Sequence, residues 1–103
     1  MYLKSTALVA VLATCSLTIG APAVAYTGQQ LSKTAKVTMA EARVIALRAH
    51  PGKITDAELE KEGGGTGLRY SFDIASADGV HEVGIDARTG KVLENKKEGP
   101  HPD

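Results

Sequence analysis

Between Leu68 and Ala75 the chain alternates without a break: Leu68, Tyr70, Phe72 and Ile74 are apolar, while Arg69, Ser71, Asp73 and Ala75 are polar or small. Successive side chains of a strand point to opposite faces, so this octet predicts a strand with one buried face and one open face. The pair Asp78-Gly79 follows, a hairpin signal, and a strand over about 80–86 then puts Val83 and Ile85 on its apolar side. Asp86-Ala87-Arg88-Thr89-Gly90 reads as a second tight turn, and Lys91-Val92-Leu93-Glu94 as a short last strand. Upstream, residues 53–62 form a strand with Ala57 and Leu59 on one side and Asp56, Glu58, Glu60 and Glu62 on the other, closed by the turn Gly63-Gly64-Gly65-Thr66-Gly67. Every connection in this stretch is hairpin-length. Parallel crossovers need a dozen residues or more, so they are excluded here.

A helix precedes the strands. Thr38-Met39-Ala40-Glu41 fits the S/T-x-x-E capping box, in which hydroxyl and carboxylate each take a free backbone N–H of the first turn. Ala42, Ile45, Ala46 and Ala49 recur at helical spacing and form one apolar face, with Arg43 and Arg48 pointing elsewhere. Pro51-Gly52 ends the helix, because the residue before a proline is biased away from the helical region. The expected fold is α+β: one N-terminal helix, about 38–50, packed on an antiparallel meander of three to four strands. Residues 26–36 read as a flexible leader, 37–95 as the domain, and 96–103 as a disordered, charged tail with two prolines.

Residues 1–25 read as a signal peptide. Lys4 supplies the positive start, Ala7-Leu8-Val9-Ala10-Val11-Leu12-Ala13 begins an apolar run continuing through Leu17 and Ile19, and Ala23-Val24-Ala25 gives the small-residue cleavage spacing. Thr14, Ser16, Thr18, Gly20 and Pro22 interrupt the run, which argues against a permanent span. Cleavage is expected after Ala25, placing the protein in the periplasm or outside the cell. The lone cysteine, Cys15, would leave with the peptide, so packing rather than a disulfide must hold the domain. Removing 25 of 103 residues leaves 78, enough for one thin core. Without Lys4, 11 basic and 12 acidic side chains remain, with no Trp and one Phe. That balance argues against a nucleic-acid partner, which needs clustered positive charge and stacking aromatics.

The helix Thr38 to Leu47 ending in His50-Pro51-Gly52 resembles the opening of a PepSY domain. So does the order that follows: Glu58-Leu59-Glu60, Tyr70-Ser71-Phe72-Asp73-Ile74, Asp78-Gly79, and the closing Glu82-Val83-Gly84-Ile85-Asp86-Ala87-Arg88-Thr89-Gly90-Lys91-Val92-Leu93. The resemblance spans about 38–94, and its closing Asp-Ala-x-Thr-Gly-x-Val segment is the most specific part. It implies an extracytoplasmic module of the kind found in propeptides of secreted metallopeptidases and in stand-alone periplasmic or membrane-attached proteins. It supplies no catalytic residue to carry over, and the partner it implies is an envelope or secreted protein such as a peptidase.

The residues themselves point to a non-enzymatic domain. The glycine-rich turn lacks the Lys-Ser/Thr and helix start of a phosphate loop, since Leu68-Arg69-Tyr70 begins a strand. His50, His81 and His101 show no short ligand spacing and read as separate, solvent-exposed side chains, so no metal or other cofactor is expected. Asp86 and Thr89-Gly90 fit turn chemistry, with Asp accepting backbone N–H bonds and glycine supplying positive φ. The acidic stripe Asp56, Glu58, Glu60 and Glu62 is either a solvated face that blunts strand pairing or the contact for a basic partner. Two functions follow: an interaction module that engages a protein through the stripe or a sheet edge, or a small periplasmic sensor or carrier of a metal or small ligand.

Overall fold

The computed structural model describes residues 25–99. Of the expected signal peptide only Ala25 falls within them, and His101 and the end of the tail lie outside. Among the described residues, no helix is long and apolar enough to cross a membrane. The elements run as a 3-10 helix (Gln29–Thr34), α1 (Met39–Ala49), β1 (Lys53–Lys61), β2 (Leu68–Ser76), β3 (Gly79–Asp86) and β4 (Val92–Lys97). The four strands form one antiparallel meander in sequence order, so the α+β architecture is the expected one.

The helix starts where its capping box says it should. Glu41 N donates to Thr38 Oγ1 at 3.1 Å, and Thr38 N donates to Glu41 Oε1 at 2.9 Å. At the other end His50 is the C-cap, and Asn95 Nδ2 on β4 donates to the carbonyl of Ala49, one of the acceptors a helix end leaves free. Ala42 and Ala46 are fully buried, with Ile45 and Ala49 half-buried beside them. Small residues at the centre of the contact let α1 lie close across β2, β3 and β4.

Strand register sorts the side chains into two faces. Ala57, Phe72 and Val83 stand opposite one another, as do Leu59, Tyr70 and Ile85, and these rows form the core beneath the helix. A bulge at Thr55 shifts the β1 register between Ile54 and Asp56. The extra residue lets both Ile54 and Ala57 face the core although three positions separate them, while Asp56, Glu58 and Glu60 face away. Tyr70 reaches past the core to donate its hydroxyl to the Val37 carbonyl at 2.6 Å, and burial, first among the causes, pushes its pKa up to about 12.

Two segments differ from the sequence reading. The leader expected to be flexible instead carries the 3-10 helix, with Tyr26 and Leu31 packed against the core. Thr27 bridges to the outer edge of β1 and accepts Leu59 N at 2.8 Å. Gly28 allows this approach: at φ 87°, a Cβ there would collide with the Leu59 carbonyl. These contacts come from isolated side chains in a short turn, so no periodicity announces them. The last strand also runs further than expected. Lys96 and Lys97 pair with Glu82 and His81 as part of β4, and Glu98 N donates to Val80 O. Backbone pairing carries these charged residues into the sheet because β4 is an edge strand whose side chains largely meet water.

Candidate functional site

The face of the sheet turned away from α1 collects carboxylates from every strand. Register places Asp56, Asp73 and Glu82 side by side on β1, β2 and β3, with Lys96 closing the row on β4. The next row runs Glu58, Ser71, Gly84 and Glu94. Glu60 opposes Arg69, yet its Oε2 instead accepts the Ser71 hydroxyl at 2.6 Å. Glu62 lies just beyond β1, its carboxylate 3.6 Å from Arg69 Nη1. The four acidic residues expected as a stripe therefore share one side of the sheet, and the alternation of β1 was enough to place three of them. Their continuation through Asp73, Glu82, Glu94 and Glu98 depends on strand pairing, which local spacing does not encode.

Two basic side chains temper this face. Arg69 is almost wholly buried and stretches over Gly84 to Glu94, donating to its Oε1 at 3.1 Å and to the Gly63 carbonyl at 3.1 Å. A Cβ on Gly84 would sit 3.1 Å from Arg69 Cδ, so glycine leaves room for the arginine to cross β3. Lys96 Nζ stands 3.8 Å from Glu94 Oε2 and is exposed. The carboxylates outnumber these partners, and burial together with their mutual repulsion raises several of their pKa values. Burial, then the charges of Glu60, Asp56, Asp73 and Glu62, push the Glu58 pKa up. Burial, then Glu94, Asp73, Glu98 and Glu60, do the same for Glu82. Glu98 is raised as well, first by a hydrogen bond with Asp73.

Asp86 has a different job. It is buried at the end of β3, where Oδ2 accepts Thr66 N at 2.7 Å and Oδ1 accepts the Thr66 hydroxyl at 2.9 Å, Arg88 N at 2.8 Å and Thr89 N at 3.0 Å. Burial pushes its pKa up, but the bonds from Thr66, Arg88 and Thr89 outweigh it and bring the value down to about 2. The carboxylate thus ties the glycine-rich turn to the β3–β4 turn. The glycine-rich turn, read as a loop rather than a phosphate cradle, presents its Thr66 N–H to this side chain and not outward.

The histidines depart from expectation. His50 and His81 are half-buried and stacked, with ring centroids 3.5 Å apart and planes 21° apart. One ring nitrogen of each and an Asp78 carboxylate oxygen lie within 4.8 Å of one another, an arrangement that can hold a metal ion. Ser76 Oγ joins them, 3.0 Å from His50 Nε2 and 2.7 Å from Asp78 Oδ1. The Ser76 bond is the first cause holding the Asp78 pKa down, opposed by desolvation and aided by His81 and Lys97. Thirty-one positions separate the two histidines, so only the docking of the helix end beside the β2–β3 hairpin reveals the pair.

A shallow depression of about 480 Å³ lies between α1 and the β3–β4 turn, lined by Val37, Glu41, Ile45 and Thr89 among others. Comparison with curated proteins and with solved structures returns no match. The family model described as peptidase propeptide and YPEB domain matches residues 36–96. That stretch holds α1 and the strands almost to the end of β4, and with more than half of the chain matched, this protein belongs to the PepSY family.

Proposed function

We propose that this protein is a non-catalytic, extracytoplasmic binding module whose open sheet face holds a basic segment of an envelope or secreted protein, a peptidase being the first candidate. The observation that carries this reading is the row Asp56, Asp73 and Glu82, three carboxylates directly opposite one another on adjacent strands. Like charges so placed destabilise a sheet, and a basic partner would relieve that repulsion. The family description, with its peptidase propeptides, supports the choice of partner. Export rests on the signal-peptide reading, and an intact mass beginning at Tyr26 is expected for the exported chain; a mass retaining residues 1–25 overturns the compartment.

Exchanging Glu58, Glu60 and Glu62 together for Gln tests the face. Glutamine keeps an acceptor oxygen for Ser71, and the three side chains lie at the rim of the fold, so stability should move by no more than about 0.5 kcal/mol per site. Affinity for a partner recovered from the exported fraction is expected to fall, because like charges steer and orient an oppositely charged surface. Added salt should shrink the difference, since the Debye length drops from about 10 Å at 0.1 M to about 3 Å at 1 M. Equal binding by wild type and variant at low salt removes the acidic face from the account.

A further inference from the structure

We propose that His50, Asp78 and His81 form a binding site for a divalent first-row transition metal such as Zn²⁺ or Cu²⁺. The three come from separate parts of the fold: the C-cap of α1, the β2–β3 turn and the start of β3. Two imidazoles and one carboxylate are the donor set of an open zinc or copper site, and imidazole disfavours Ca²⁺ and Mg²⁺. A second observation points the same way. The Nδ1 of His81 is buried with no hydrogen-bond partner, and a buried polar atom left unpaired in a native structure calls for a missing partner such as an ion or water. The helix end adds to the attraction, because its carbonyls present partial negative charge to a cation beside His50.

The serine explains the resting state of the trio. Its single hydroxyl proton goes to Asp78 Oδ1, the shorter contact, so toward His50 the oxygen accepts and His50 Nε2–H donates. For a metal to bind at Nε2 the ring changes tautomer, its proton passing through solvent to Nδ1 so that the imidazole stays neutral. Ser76 remains bonded to Asp78, where it orients the carboxylate as an outer-shell group. The stacked rings direct their lone pairs along nearly parallel planes, so sharing one ion requires them to splay. His50 is the C-cap of α1 and His81 the third residue of β3, opposite Ile74 at the margin of the core, so the splaying is a side-chain movement near the ends of both elements. The bound ion would fasten the end of α1 to the β2–β3 hairpin, and anything that binds only the folded state raises its apparent stability.

The test is calorimetric titration of the purified chain with Zn²⁺ and Cu²⁺, and with Ca²⁺ for contrast. One saturable Zn²⁺ or Cu²⁺ site of micromolar affinity or better is expected, weakened by His50→Gln or His81→Gln by at least the roughly 10–100-fold that loss of an outer-shell partner alone costs. His101→Gln and the Glu58/Glu60/Glu62 glutamine variant should bind as wild type does. Should a histidine variant fail to fold, substoichiometric Cu²⁺ added to the wild-type chain reads the site without mutation, by selective broadening of the His50 and His81 ring proton signals in NMR spectra. No saturable binding by wild type, undiminished binding by the folded His50 and His81 variants, broadening centred on His101, or loss of binding in the glutamine variant each overturns the proposal.

Discussion

Phe72→Ala is expected to lower unfolding stability by roughly 3–5 kcal/mol, the usual cost of truncating a fully buried aromatic. Phe72 lies at the centre of the core, between Ala57 and Val83 in the strand rows, with the Tyr70 ring 6.4 Å away. Neither flanking side chain is large enough to fill the vacated space, and the small residues Ala42 and Ala46 beneath α1 offer no substitute. Domains of this size sit near the lower end of the 5–15 kcal/mol range of natural stabilities, so the variant should be close to unfolded at 37 °C. Denaturant melts followed by circular dichroism measure it. A midpoint unchanged from wild type would mean that β2 presents its other face to the helix.

Asp86→Ala should cost about 2–4 kcal/mol, and its effect should depend on pH. The substitution removes the acceptor of four bonds from Thr66, Arg88 and Thr89 at once. Bonds to a charged acceptor contribute about 1.5–3 kcal/mol each when isolated, but Thr66 and Thr89 are exposed and water can take up part of what they lose. Because the folded-state pKa of Asp86 lies below its unfolded value, its contribution is fully present above about 4 and disappears as pH falls toward 2. Glu58 and Glu82 act with the opposite sign. Their folded pKa values are raised, so the folded state binds protons first and acidification through the ordinary carboxylate range relieves repulsion. Wild-type stability is therefore expected to rise slightly from neutral pH into mild acid and then to fall steeply below about pH 4. The Asp86 variant should keep the rise and lose most of the fall. A wild-type profile that is flat between pH 4 and pH 2, or an equally steep fall in the variant, contradicts the role assigned to Asp86.

What the sequence made visible, and what it did not, follows from the range of the interactions. The Thr38–Glu41 capping box and the alternation from Leu68 to Ile74 are local, and each is realised where its spacing puts it. The turn acids Asp78 and Asp86 were recognisable by their neighbours, although the Asp86 bond to Thr66 spans twenty positions and needed the folded sheet. Tyr26 and Leu31 carry no period, so their docking on the core went unseen. The Thr55 bulge is likewise silent, because the step from Ile54 to Ala57 resembles an interruption of a strand more than an insertion into one. The candidate sites divide in the same way. Asp56, Glu58 and Glu60 alternate within one strand, whereas their neighbours Asp73 and Glu82, and the meeting of His50 with His81, arise from topology alone.

The central claim is that partner contact is made on the sheet face turned away from the helix, and site-specific photocrosslinking tests it most directly. One form of the chain would carry the crosslinking side chain at Glu58, midway along the acidic side of β1, and a second at Arg43, exposed on α1. Both would be irradiated with the recovered partner at low and at high salt. The account predicts an adduct from position 58 that fades as salt rises, and little or none from position 43. An adduct formed chiefly from position 43, or one from position 58 indifferent to salt, would contradict it.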